Sequence, residues 1–180
     1  MGLFKRSRIY RPATPSLPQW ILVGALAGAA SVLIFHQGLL ALLYALDLTG
    51  RIPYSLRPTQ PFGMPQVWSL VFWGGVWGAV FAAMLRRYDG GRLVAMAILL
   101  GATLPTLVAW FVVAPLKGQE FAAGFDALLM MASLALNGAW GLGTGLGLAL
   151  FGGKRPERRH ATTDRRRAPR RRAGMQPDAA

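Results

Sequence analysis

The first long apolar run of the chain, residues 20–48, constrains the fold more than any other feature. It carries no charged residue before Asp47, and it holds two polar side chains, His36 and Gln37, well inside it. The hydrocarbon core of a bilayer is about 30 Å thick, and about 20 apolar residues of helix cross it. We therefore predict that this run is a transmembrane helix.

Three further runs, residues 66–85, 93–116 and 127–151, are long enough to be transmembrane helices as well. The chain is 53% hydrophobic and 15% charged, which is typical of an integral membrane protein. Backbone groups in a bilayer must be hydrogen-bonded, which leaves helices and closed barrels, and these runs lack the polar alternation of barrel strands. The predicted fold is all-α: a four-helix transmembrane bundle with short loops, residues 20–152, after a basic and Pro-rich segment, residues 1–19.

Residues 153–180 differ in composition from the rest of the chain, because they are rich in Arg and almost free of bulky apolar side chains. Such a segment cannot bury enough surface to offset chain entropy, so we predict a disordered tail. It has no aromatic side chain to stack on bases, so nucleic acid is a disfavoured partner. Topology signalling remains an alternative, but we favour contact with anionic lipid. The residues expected to make it are Arg155, Arg158, Arg159, Arg165, Arg166 and Arg167.

Basic residues alternate between the two sides of the predicted bundle. The two termini and the second loop carry 17 of the 20 Lys and Arg residues, and the first and third loops carry Arg51, Arg57 and Lys117. Loops rich in Lys and Arg stay in the cytoplasm during insertion. We predict that both termini are cytoplasmic.

Small residues recur along one face of several spans, where they let helices approach closely. This pattern favours packing inside the bundle or on a partner over a ligand role. The residues expected to pack are Gly24, Gly28, Ser31 and Gly38 in the first span, Gly74 and Gly78 in the second, and Gly141 and Gly145 in the fourth.

The first loop, residues 49–65, contains four prolines and two glycines, so it cannot be regular helix. We expect an ordered, extended cap outside the membrane. The alternative is a segment that re-enters the bilayer, where irregular backbone survives only if protein or water covers it.

One ionisable side chain, His36, lies deep within a predicted span, and such a residue is a functional candidate by default. His36 and Asn137 lie eleven residues in from Asp47 and Asp126, so similar depths are expected. With Thr103, Thr106 and Asp47 they form a candidate site for a proton, an ion or a small polar ligand. The alternative, which we favour, is that neutral His36 bonds Asn137 or a carbonyl and sets helix register.

Other chemistry finds no support in the sequence. The chain has no Cys, and its second His, His160, lies in the tail, so a metal site lacks ligands. No pairing of a nucleophile with a base is visible. We expect neither a metal, a cofactor nor an enzyme.

Three motifs stand out between residues 31 and 78: Phe35-His36-Gln37-Gly38, Pro61-Phe62-Gly63-Met64-Pro65-Gln66 and Phe72-Trp73-Gly74-Gly75-Val76-Trp77-Gly78. Together they resemble a pattern found in small four-span proteins of Gram-negative bacteria. The resemblance implies an inner-membrane location and transfers no activity and no site residues.

Together these features predict a non-enzymatic structural or accessory subunit of the inner membrane. It would self-associate or pack on a membrane-protein partner through its glycine-rich helix faces. The alternative is a small transporter or channel-like protein that uses a buried polar site around His36 and Asn137.

Overall fold

A computed structural model of the chain describes residues 15–152, and these residues are mostly helical. Four helices are long and apolar enough to cross a membrane: α1 (Leu17–Ala45), α2 (Gln66–Arg87), α3 (Gly90–Leu116) and α4 (Ala127–Phe151). The first loop adds a two-residue antiparallel ladder between β1 (Pro58–Thr59) and β2 (Met64–Pro65). The predicted tail and its six lipid-contact arginines lie outside the described residues.

Helix α1 begins at Leu17, three residues before the predicted residue 20. Pro18 lies in its first turn. Proline is tolerated there, since the first helical N–H groups have no partner within the helix. Ser16 and Gln19 form a reciprocal cap: the Ser16 N–H donates to Gln19 Oε1 at 2.9 Å, and Ser16 Oγ accepts from the Gln19 N–H at 3.5 Å. The helix ends at Ala45, before the left-handed residue Asp47.

Two helices contain a widened π-type turn, Val32–His36 in α1 and Ala109–Val113 in α3. In α1 the Gln37 N–H donates to the Val32 carbonyl, five residues back. A regular α-helix would direct it to the Leu33 carbonyl, four residues back. The Leu33 carbonyl therefore does not accept the Gln37 N–H.

The bundle consists of two helical hairpins with a similar internal contact. In the first, Gly24 and Gly28 of α1 lie against Gly78 and Gly74 of α2. In the second, α3 lies against α4 through four small residues, Ala97 and Gly101 on α3 and Gly141 and Gly145 on α4. Each hairpin therefore brings two backbones together where side chains are smallest.

The hairpins join mainly through α1 and α4. Helices α2 and α3 are separated along the chain by Tyr88 and Asp89 alone. Their backbones approach chiefly at that turn, and along their length they contribute large side chains, such as Phe81 and Leu93, to a shared core. Backbones therefore approach more closely at the glycine faces of the two hairpins than between α2 and α3.

Both ends of the described chain lie at the same end of the bundle. The Trp20 ring packs on Gly152, and Trp20 Nε1 donates to the Ala82 carbonyl near the α2–α3 turn. We call this the inner end, and the opposite end, with the first and third loops, the outer end. The basic turn with Arg86 and Arg87 therefore lies at the end where the described chain begins and stops.

Candidate functional site

The structure separates the polar candidates into two groups. Asn137 pairs with Thr106 between α3 and α4, whereas His36 lies beside Gln37 in α1. Among the described residues, no hydrogen bond joins His36 to Asn137. The five candidates therefore do not form one cluster.

Asn137 and Thr106 form an interhelical hydrogen bond, in which Asn137 Nδ2 donates to Thr106 Oγ1 at 2.8 Å. Thr106 is fully buried, at 0% exposed, and Asn137 is half-buried. The Asn137 carbonyl lies against Gly101, so both residues belong to the close contact of the second hairpin. This pair holds the rotation of α4 against α3.

Thr103 and Asp47 join neither group. Thr103 Oγ1 donates to the Leu99 carbonyl of its own helix at 2.9 Å. Asp47 is exposed beyond the end of α1, and its carboxylate makes no hydrogen bond or ion pair with any of residues 15–152. No hydrogen bond joins Asp47 to His36 within the described residues.

His36 has a neighbour that the sequence did not single out as a site residue, Gln37. Gln37 is only 2% exposed, and its Nε2 lies 3.5 Å from His36 Nδ1. Its Oε1 accepts a hydrogen bond of 2.7 Å from the N–H of Tyr54 in the first loop. The available signal was a second polar side chain inside the apolar run, but its loop partner depends on the tertiary fold.

Trp140 occupies the centre of the bundle. Its Nε1 donates to the Gly28 carbonyl at 2.9 Å, and its own carbonyl accepts from Ser31 Oγ at 2.6 Å. Thr144 Oγ1 donates to the same carbonyl at 2.9 Å. The Trp140 ring meets the Phe81 ring edge-on, with centroids 5.2 Å apart. Aromatic side chains fill the space between the two hairpins at this level.

Seven of the eight small residues singled out from the sequence lie at contacts between helices of this chain. A methyl group on Gly28 would overlap the carbonyl oxygen of Gly74, and one on Gly78 would overlap that of Gly24. Gly38 differs, because a methyl group there would meet no atom within 4 Å. Gly38 therefore lies at no close helix contact among residues 15–152.

An apolar groove of about 550 Å³ runs along the outside of the α1–α4 contact. Ala30 and Ile34 of α1 line it, together with Gly143, Gly147 and Leu150 of α4. Ser31 is the one polar side chain in its lining, and its hydroxyl is already bonded to Trp140. The lining of the groove therefore offers apolar contact to a ligand, and its one polar side chain is already hydrogen-bonded.

Metal chemistry finds no cluster of ligands in the part of the chain that the structure describes. No group of three His, Asp or Glu side chains lies close enough together there to hold an ion. His36 has an amide, not a carboxylate or a second His, beside its ring.

Comparison of the chain with protein-family models, with curated proteins and with solved structures found no match. The resemblance to four-span proteins of Gram-negative bacteria therefore stays a prediction. Function must be inferred from the chemistry of the described residues.

Proposed function

We propose that the chain is a four-span protein of the bacterial inner membrane and acts as a non-enzymatic structural or accessory subunit. Four helices of suitable length and hydropathy support the membrane location. The described ends and the basic α2–α3 turn share the inner end, which agrees with cytoplasmic termini under the positive-inside rule. The Arg-rich tail would then contact anionic lipid at that face.

One observation carries the proposed role: aromatic rings occupy the centre of the bundle, and the fully buried polar side-chain atoms of residues 15–152 are hydrogen-bonded. Phe81 and Trp140 meet at the centre, and Asn137 is bonded to Thr106. No buried side-chain nitrogen or oxygen in residues 15–152 lacks a hydrogen-bond partner. A transported species would need unpaired polar groups or space along its path, so these contacts favour a packing role over permeation.

The glycine faces serve the chain itself in this proposal. Gly24, Gly28, Gly74 and Gly78 are covered by one another, so a partner would dock on the outward-facing side chains instead. This revises the expectation that the glycine faces receive the partner.

Site-specific photocrosslinking in native membranes tests the subunit role. The crosslinker replaces one exposed side chain on each helix: Leu26, Phe72, Leu99 or Met131. We expect one discrete protein adduct from positions on one face and lipid adducts from the others. Lipid adducts at all four positions, together with a single copy per native nanodisc, would contradict the proposal.

The same adduct separates the subunit role from permeation. If His36 contributes only packing, a strain carrying His36→Asn should keep the adduct and grow as the wild-type strain does. Loss of the phenotype with the adduct retained would instead favour a ligand or proton role for His36.

A further inference from the structure

The first loop returns toward the bundle into a gap that α2 leaves at the outer end. Gly24 lies opposite Gly78, and Gly28 lies opposite Gly74. Continuing this antiparallel pairing places Gln66, the first residue of α2, level with His36. Helix α1 runs nine residues further, from Gln37 to Ala45, which is about 13 Å at 1.5 Å per residue. Beside this extension α2 has no turns, and the loop lies there instead.

Tyr54 fastens the loop to α1 at two points. Its N–H donates to Gln37 Oε1 at 2.7 Å, and its hydroxyl donates to the Leu33 carbonyl at 2.9 Å. The Leu33 carbonyl lies in the widened turn, where the Gln37 N–H bonds Val32 and not Leu33. Tyr54 therefore bonds both a side chain and a backbone carbonyl of α1 at this widened turn.

The same loop also closes the start of α2. No side chain caps this helix, and its first N–H groups bond loop carbonyls instead. Gln66 N donates to the Arg57 carbonyl at 2.9 Å, and Val67 N donates to the Ser55 carbonyl at 3.0 Å. These amides report whether the loop is in place.

The large apolar side chains of the loop contribute little to holding it against the helices. Leu56 is 68% exposed and Phe62 is 88% exposed, so neither anchors it in a core. Tyr54 has a φ of 51°, a left-handed conformation that is strained for a bulky side chain. A strained residue that also makes the loop's two bonds to α1 is suited to release, since leaving the site relieves the strain.

We propose that residues 49–65 form a lid over Gln37 and His36, and that Tyr54 is its latch. Opening frees the Gln37 amide, whose Nε2 lies beside His36 Nδ1, and exposes both polar groups to the outer side. The lid stands on these loop contacts alone and does not depend on the subunit role proposed above.

Hydrogen exchange followed by mass spectrometry on the full chain in nanodiscs tests the latch. Tyr54→Phe removes only the hydroxyl that bonds Leu33, and Tyr44→Phe is the matched control. Tyr44 is also half exposed, and its hydroxyl has no hydrogen bond within the described residues. We expect the amides at positions 54, 66 and 67 to exchange about fivefold faster in Tyr54→Phe, the effect of one net hydrogen bond, and at wild-type rate in Tyr44→Phe.

Thiol labelling tests whether the loop covers this polar pair. The chain contains no Cys, so His36→Cys introduces a unique thiol at a half-buried position beside Gln37 and leaves both Tyr54 bonds in place. Adding Tyr54→Phe should raise its labelling rate by about the same factor as the exchange rate, and adding Tyr44→Phe should not.

Three results would overturn the proposal. Unchanged exchange in Tyr54→Phe would show that the Tyr54 hydroxyl does not hold the loop. Faster exchange without faster labelling leaves a loop that moves but covers nothing. Equal acceleration in all four helices indicates loss of the whole fold and not the opening of a lid.

Discussion

Trp140 of α4 donates its indole N–H to the carbonyl of Gly28 in α1, at the point where α1 also packs on α2. The glycine has two roles here: its missing side chain admits Gly74, and its carbonyl receives Trp140. One residue thereby connects the contact within the first hairpin to the contact between the hairpins. Perturbing either role should therefore weaken the bundle as a whole.

Removing the Trp140 hydrogen bond should destabilise the protein. Trp140→Phe loses the indole N–H and part of a buried ring, and we expect a loss of about 2 kcal/mol in the free energy of unfolding. Unfolding by sodium dodecyl sulfate in mixed micelles measures it. Trp73→Phe is the control, because Trp73 is 55% exposed, and its loss should stay within about 0.5 kcal/mol. Equal losses in the two variants would contradict a special role for the Trp140 bond.

Adding one methyl group should have opposite consequences at two glycines of α1. Gly28→Ala places a Cβ against the Gly74 backbone, so the helices must separate, at a cost of about 1 to 3 kcal/mol. Gly38→Ala meets nothing within 4 Å and should be neutral or stabilising, by up to about 1 kcal/mol, because alanine favours helix. Thermal unfolding of the two variants in one detergent compares them. A loss at Gly38 as large as that at Gly28 would mean that Gly38 has a partner.

A double-mutant cycle should detect the Asn137–Thr106 bond. Asn137→Leu and Thr106→Val should show a coupling energy of about 0.6 to 1.7 kcal/mol, the range of side-chain hydrogen bonds in membrane bundles. Thr103→Val in place of Thr106→Val should give a coupling near zero, because Thr103 bonds Leu99 in its own helix. Coupling with Thr103 and none with Thr106 would contradict the Asn137–Thr106 hydrogen bond.

The orientation of the bundle can be measured with topology reporters. Alkaline phosphatase fused after Gly118 should be active, because the third loop has Lys117 as its single basic residue and should face the periplasm. A fusion after Asp89 should be inactive, since that turn follows Arg86 and Arg87 and should stay in the cytoplasm. The reverse pattern would invert the bundle and place the proposed lid on the cytoplasmic side.

The number and extent of the long helices were predictable from the sequence. A helix that crosses the bilayer must be about 20 residues long and apolar throughout, and this is a property of each segment by itself. The four predicted runs therefore agree with the four long helices to within a few residues at each end. The prolines of the first loop likewise predicted an irregular segment, in which only a two-residue ladder forms.

The partners of the polar residues were not predictable in the same way. Depth along a helix can be counted, but the direction of a side chain depends on helix rotation and register. Neutral His36 was expected to bond Asn137 or a carbonyl, yet its polar neighbour is Gln37, while Asn137 bonds Thr106. The π-type turn at Val32–His36 also alters the rotation of the residues that follow it, and the apolar pattern of the run gives no sign of it.

By itself, then, the sequence determined which segments are long apolar helices, because that depends on local length and composition. The tertiary structure alone decided that Gly28 packs on a glycine while Gly38 stays open, and that the loop residue Tyr54 bonds Gln37. Such contacts depend on the rotation and register of the four helices relative to one another, and these are determined by close packing of the whole bundle.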